Sequence, residues 1–191
     1  MRRAVFLDRD GTLNEEMGYV NHVSRLRMLP GAAEAVRLLN SAGWAAVVVS
    51  NQSGVGRGYF PERVLTEVEE AMVNDLAAGG ARLDALYYCL HHPEAKLAAY
   101  RRRCECRKPQ PGLIRRAAQE LDLDLARSWL IGDRLLDIET AHGAGVRGVL
   151  VLTGYGRGEH EHLLPASTVQ PDHVAEDVLE AVRWLLGQGG A

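Results

Sequence analysis

The sequence predicts an α/β fold, a doubly wound parallel sheet, and three observations carry that expectation. Short apolar runs without alternation occur at 4–8, 45–50, 129–132 and 146–152, with 86–90 a less clear fifth. Unbroken apolar runs of this length suit strands covered on both faces. Segments of helical period separate them, which implies parallel βαβ units. The runs also end in loops rich in Asp, Ser, Asn, Thr and Gly, and in an open α/β sheet ligands gather at the carboxyl ends of the strands.

The first run ends at Asp8. Ala35, Val36, Leu38 and Leu39 follow at helical spacing and stop before Gly43. The second run ends in Ser50-Asn51-Gln52-Ser53-Gly54. Val64, Leu65, Val68, Met72 and Leu76 then repeat at helical spacing between Pro61 and Gly79, a proline-in, glycine-out pattern. After 86–90 the rhythm breaks, because 91–107 has little apolar periodicity. Leu113, Ile114, Ala117, Ala118 and Leu121 follow Pro111 as the next helix. The run 129–132 ends at Asp133, and 146–152 at Thr153-Gly154. Residues 154–171 read as a polar connection, expected to be mobile. Val178, Leu179, Val182, Leu185 and Leu186 form the last helical face, stopped by Gly187. With no repeat, low-complexity stretch or linker, the expectation is a single domain over 1–191, with an inserted loop at about 89–107.

Composition narrows the function. A hydrophobic fraction of 47% in 191 residues is enough to bury a core. A net charge of −3, with no long basic run, argues against a general nucleic-acid partner. Two arginines and five apolar residues at the N-terminus are too short for a secretory signal. No run approaches the roughly 18 residues of a membrane span. A cytoplasmic location is therefore expected, with no membrane partner.

Three polar loops share one chemistry. In Asp8-Arg9-Asp10-Gly11-Thr12, two carboxylates one residue apart can point the same way at the end of a strand. One can attack phosphorus while the other handles a proton. A solvated acidic turn would look the same. The hydroxyl and backbone N–H groups of the loop from Ser50 suit phosphate oxygens, although such turns are common. Gly132-Asp133 and Asp137 add acids that suit Mg²⁺, a hard ion with oxygen ligands. Asp133 would also serve as a helix N-cap, and Asp137 reads as a supporting acid in the first helical turn. Lys108 is informative by rarity: of 22 basic residues only Lys96 and Lys108 are lysine, so a compact mobile charge is wanted there.

A second metal signal is separate. All three cysteines lie between positions 89 and 106, in Cys89-Leu90-His91 and Cys104-Glu105-Cys106. Four soft ligands in two pairs match a closed tetrahedral Zn²⁺ site, and clustering with an odd count disfavours a disulfide framework. His92 competes with His91, which is preferred because it mirrors the Cys-x-Cys spacing.

Taken in order, these loops resemble the four signature motifs of the haloacid dehalogenase superfamily of phosphotransferases, over nearly the whole chain to about Leu152. Its Asp-x-Asp-Gly-Thr signature is matched at Asp8, its second motif at Ser50, its third at Lys108 and its fourth at Gly132-Asp133 with Asp137. Within it, Gly18-Tyr19-Val20, Arg57-Gly58-Tyr59-Phe60 and Cys104-Glu105-Cys106-Arg107-Lys108-Pro109 resemble the capless branch that acts on heptose bisphosphate and on histidinol phosphate. The long zinc loop and Ser53 favour the heptose side. Arg134 stands where a lysine is usual, and Leu90 where a proline is.

The resemblance implies a Mg²⁺-dependent phosphatase that works through an aspartyl-phosphate intermediate and releases the 7-phosphate of a heptose 1,7-bisphosphate. Histidinol phosphate, or a nucleic-acid end, is the alternative substrate. Asp8 would be the nucleophile and Asp10 the general acid and base, with Ser50 and Lys108 holding the phosphoryl group. Mg²⁺ would sit on the carboxylates of Asp8 and Asp133 and the backbone carbonyl of Asp10. Zn²⁺ on Cys89, His91, Cys104 and Cys106 would be structural. Arg9, Glu16, Met17, Gly18, Tyr19, Asn51, Gln52, Ser53, Arg57, Arg107 and Arg134 would face a small sugar bisphosphate.

Overall fold

A computed structural model describes residues 1–188. Strands β1 (Ala4–Leu7), β2 (Ala45–Asn51), β3 (Ala85–Cys89), β4 (Trp129–Gly132) and β5 (Arg147–Val151) form on the apolar runs, and β6 (His173–Ala175) adds a sixth. All pair in parallel, in the order β3-β2-β1-β4-β5-β6. The helices are α1 (Ala32–Ser41), α2 (Glu62–Ala78), α3 (Gly112–Leu121), α4 (Leu135–Ala144), the single turn α5 (Gly156–Gly158) and α6 (Val178–Gln188).

The unbroken apolar runs have their cause in burial on both sides. In β1, Val5 and Leu7 join one core, with Val36 and Leu39 of α1 and Val178 and Val182 of α6. Ala4 and Phe6 join the other, with Leu113, Ile114 and Ala117 of α3 and Ala141 of α4. All four strand residues are fully buried, so no position can be polar. Each fully buried large apolar side chain contributes about 1.5–3 kcal/mol. A smaller cluster of Val20, Val55, Phe60, Val64, Leu65 and Val68 anchors the loop after β1 onto α2.

The strand order creates the site. The chain runs from β1 outward to β3, then returns to the other side of β1 and runs outward again from β4 to β6. The direction reverses between β1 and β4, which is where such sheets bind ligands. Asp8 leaves β1 and Asp133 leaves β4. The Asp8 N–H donates to the Ile131 carbonyl at 2.9 Å, keeping the two exits side by side. The segments after β1 and β3 stay as loops with one 3-10 turn each, Val23–Arg25 and Ala98–Tyr100, so neither forms a cap domain. Among the described residues, no helix is long and apolar enough to cross a membrane.

Two expectations change. Asp133 is not the N-cap of α4: Arg134 takes that position, and its N–H donates to Asp137 Oδ2 at 3.2 Å. The segment 154–171 is not an open connection. It winds through α5 and the turns Glu159–Leu163 and Leu164–Ala166, and is bonded to the loops after β1 and β4.

Candidate active site and metal centres

At the switch point one oxygen from each of Asp8, Asp133 and Asp137 lies within 4.8 Å of the others, and all three residues are buried. Lys108 Nζ lies 2.5 Å from Asp137 Oδ1 and 2.8 Å from Asp8 Oδ1. Each group has a local reason for its place. Asn51, at the end of β2, clamps the backbone of residue 108: the Lys108 N–H donates to Asn51 Oδ1 at 3.0 Å, and Asn51 Nδ2 donates to the Lys108 carbonyl at 3.2 Å. Asp133 Oδ2 accepts the Tyr155 N–H at 2.8 Å. Gly11 and Gly154 have φ of +80° and +55°, and a Cβ at either would collide with that oxygen, so two loops close on Asp133 only as glycine.

Charge is out of balance here, with three carboxylates facing one ammonium. Burial, then Asp8 and Asp137, push the Asp133 carboxyl up to about 8. Burial also raises Asp137, to about 6, against the pull of Lys108. Burial opposes the charge on Lys108, but Asp137 and Asp8 outweigh it and hold the amine above its usual range. An oxygen-lined pocket with surplus negative charge fits a hard divalent cation such as Mg²⁺.

The Asp10 carboxylate lies outside this group. It accepts from Arg9 Nη2 at 2.9 Å on both oxygens, from Asn14 Nδ2 at 2.9 Å and from Gln52 Nε2 at 2.7 Å. Gln52 Nε2 also donates to Ser50 Oγ at 3.1 Å, so one amide links the Asp10 and Ser50 side chains.

These residues open onto a cavity of about 280 Å³. Asp8, Asp10, Ser50, Lys108 and Asp133 line it, as do Glu16, Gly18, Tyr19, Asn51, Ser53, Arg107 and Arg134. Four residues expected to face the substrate do not line the cavity. Arg9 is 0% exposed, lies over the Tyr88 ring at 5.9 Å and braces Asp10 from below. Gln52 is buried against Asp10 and Ser50. Met17 packs on the small cluster over α2, and Arg57 donates to His92 Nε2 at 2.8 Å. Conversely, Leu136 and Tyr155 line the cavity although the sequence did not place them there, and Asp137, read as a supporting acid, lines it as well. Tyr155 follows the Thr153-Gly154 exit of β5, so the strand-end rule was a signal for it.

The second centre is a compact group of Cys89, His91, Cys104 and Cys106. Sulfur separations are 3.0 Å (Cys106 to Cys89), 3.2 Å (Cys106 to Cys104) and 3.5 Å (Cys89 to Cys104), and His91 Nδ1 is 3.3 Å from Cys106 Sγ. The thiols are free, since a disulfide bond is only about 2.05 Å long. Three sulfurs and one imidazole nitrogen have the identity and spacing to hold Zn²⁺. His92, engaged with Arg57, is not in the group. Arg107 Nη1 donates to the His91 carbonyl at 3.2 Å, so the staple is continuous with the residue before Lys108.

Two predictions follow from the two centres. Metal analysis of reduced, untagged protein should find about one zinc per chain. Cys106→Ser should release it and speed amide exchange across 90–107 while β1, β2 and β4 stay protected; a zinc-free native protein would contradict the site. For the acidic centre the sign is fixed by Asp133. Between its ordinary 3.8 and about 8, the cation-free folded protein holds a proton that the unfolded chain has released. Stability in EDTA should therefore fall as pH rises through that window. Mg²⁺ should raise Tm more at the top of the window than at the bottom, and Asp133→Asn should flatten the dependence. An EDTA-treated protein whose Tm climbs over the same range would refute the charge imbalance.

Comparison with known proteins gives a consistent result. The HAD-hydrolase-like family profile matches residues 105–181. The chain is 44% identical over 192 residues to D-glycero-D-manno-heptose-1,7-bisphosphate 7-phosphatase of Thermosynechococcus vestitus, covering 96% of this chain and 95% of that protein. It is 43% identical over 152 residues to D-glycero-beta-D-manno-heptose-1,7-bisphosphate 7-phosphatase of Escherichia coli K12, covering 79% and 80%. The crystal structure of D,D-heptose 1,7-bisphosphate phosphatase from B. bronchiseptica, complexed with magnesium and phosphate, superposes with a TM-score of 0.86 at 34% identity, covering 97% of this chain and 99% of that one. With the sheet order, the acidic cluster and these relatives in agreement, the chain belongs to the haloacid dehalogenase-like hydrolases, in the family of the heptose-1,7-bisphosphate 7-phosphatases.

Proposed function

We propose that the protein is a Mg²⁺-dependent phosphatase that releases the 7-phosphate of D-glycero-D-manno-heptose 1,7-bisphosphate through an aspartyl-phosphate on Asp8. The observation that carries this reading is the buried group of Asp8, Asp133, Asp137 and Lys108, opening into a cavity that also presents Arg107 and Arg134. One set of groups suits a transferring phosphoryl group, and two guanidinium groups suit a second phosphate.

Phosphoryl transfer needs positioning and charge neutralisation more than new covalent chemistry. The carboxylates of Asp8 and Asp133 and the Asp10 carbonyl would hold Mg²⁺, which would supply Lewis-acid neutralisation of the phosphate oxygens. Lys108 adds a fixed positive charge beside Asp8, which lowers the repulsion between the attacking carboxylate and the phosphate dianion. Asp8 attacks phosphorus, the bond to the sugar oxygen breaks, and Asp10 delivers the proton that this oxygen needs to leave. Asp10 then takes a proton from the water that cleaves the acyl phosphate. Arg9, Asn14 and Gln52 hold Asp10 within reach. Ser50 supplies a hydroxyl to a phosphoryl oxygen, and Arg107 and Arg134 receive the phosphate that does not react.

A substrate panel read as kcat/KM tests this. The heptose bisphosphate should lead. Removing the non-reacting phosphate should lower kcat/KM about tenfold to a hundredfold, the worth of one charge-assisted hydrogen bond at about 1.5–3 kcal/mol. Histidinol phosphate as the best substrate would overturn the assignment. Asp10→Asn should slow turnover of the sugar substrate by about 10²–10⁴-fold, with far less effect on an aryl phosphate whose leaving group needs no proton. Undiminished sugar turnover would remove Asp10 from the acid–base role.

A further inference from the structure

We infer that Glu159 is a positioning residue for substrate selection, fixing the Arg134 guanidinium at the cavity wall to receive the non-reacting anionic group of a doubly anionic substrate. This rests on the bisphosphate reading above and adds a residue to it from a segment with no recognised motif.

Glu159 is 8% exposed, in a turn whose neighbours Arg157, Gly158, Glu161 and His162 face solvent. A buried carboxylate has to be fully used. Its Oε1 accepts from Arg134 Nε at 2.9 Å, and its Oε2 accepts from the Leu135 N–H at 2.5 Å. Leu135 opens α4, so the second bond satisfies one of the donors a helix leaves free at its N-terminus. Both partners lie between Asp133 and Asp137, so a single side chain ties the 154–166 segment to the acidic centre.

The way Arg134 is held decides what it can do. Glu159 engages Nε alone. Among the described residues, neither terminal nitrogen of Arg134 makes a hydrogen bond. The guanidinium lies over the Tyr155 ring, 5.1 Å from its centroid, which restrains it on a second side. The side chain is 49% exposed and lines the cavity together with Arg107. The result is a planar fork, fixed at its base, with two donors directed away from its anchor. A fork of that kind suits bidentate contact with phosphate or carboxylate and loses less freedom on binding than a loose side chain. A helix cap alone would engage one oxygen and leave Arg134 free, so the two roles predict different kinetics.

Glu159→Gln separates them, because the amide oxygen still accepts from Leu135 while the charge facing Arg134 is lost. The experiment measures KM and kcat for the heptose bisphosphate and for the heptose 7-phosphate, with Glu159→Gln made in the parent and in Arg134→Ala. KM for the bisphosphate should rise about tenfold, equivalent to about 1.4 kcal/mol, with kcat within about twofold. KM for the monophosphate should barely move. In the Arg134→Ala background the change should have no further effect on the bisphosphate, because the two residues act as one unit. Equal effects on both substrates, a loss confined to kcat and Tm, or additivity with Arg134→Ala would overturn the inference. If Glu159→Gln loses its cooperative thermal transition, Glu159→Asp, which keeps the charge but shortens the reach, should give the same selective pattern and stands in for it. A wild-type enzyme with no preference for the bisphosphate overturns both readings; one that discriminates, beside a variant that discriminates equally, overturns only this one.

Discussion

Three buried carboxylates held against one ammonium form the constraint on which the rest of the molecule depends. Asp8, Asp133, Asp137 and Lys108 come from four places in the chain, and each is brought in by a different element. An uncompensated buried charge costs several kcal/mol, and breaking a buried pair typically costs about 3–5 kcal/mol. Such a group survives only in a frame that cannot relax around it. The sheet supplies that frame, because β1 and β4 are apolar on both faces and are pinned from both sides. The N-terminus of α4 assists, since Asp137 sits in its first turn, where the helix dipole favours negative charge. The remaining imbalance makes the site a receptor for a divalent cation and, through it, for phosphate.

Two segments outside the sheet serve this centre from opposite sides. The Cys/His loop ends at Arg107 and Lys108, and Asn51 holds the same backbone from β2, so the lysine is aimed by a staple and a clamp together. The segment after β5 is bonded to the loops after β1 and β4 through Thr153 to the Gly11 carbonyl, Tyr155 to Asp133, and Glu159 to Arg134 and Leu135. A capless phosphatase must select its substrate without a covering domain. Here these short segments build the wall of the cavity.

Much of this was legible in the sequence because burial on both faces leaves a strand no choice of residue. The runs ending at Asp8, Ser50 and Asp133 had to be apolar throughout, so the strands and the acids at their ends were visible together. The Cys/His cluster was legible for a different reason: the only cysteines fall in one segment that cannot build a core. Other features left no such mark. β6 is three residues long and includes the polar His173, so it lacks an apolar run. α4 carries Asp137, Thr140 and Gly143 among its apolar residues and shows no helical stripe, because the face toward the site buries carboxylate and hydroxyl groups. Arg9 looked like a ligand contact because it lies between two acids of the loop after β1; its guanidinium is instead buried against the Asp10 carboxylate and over the Tyr88 ring. Glu159 is silent in sequence, since its partners are some 25 residues away and only folding brings them together.

The central claim is that Asp8 carries the phosphoryl group during turnover. It is tested most directly by quenching the enzyme in acid while it turns over the heptose bisphosphate with Mg²⁺, then mapping phosphorylated peptides by mass spectrometry. The account predicts one phosphoryl group on the peptide containing Asp8, absent without Mg²⁺ and absent in Asp8→Asn. Phosphate found on a different residue, or steady turnover by a folded Asp8→Asn protein, would contradict it.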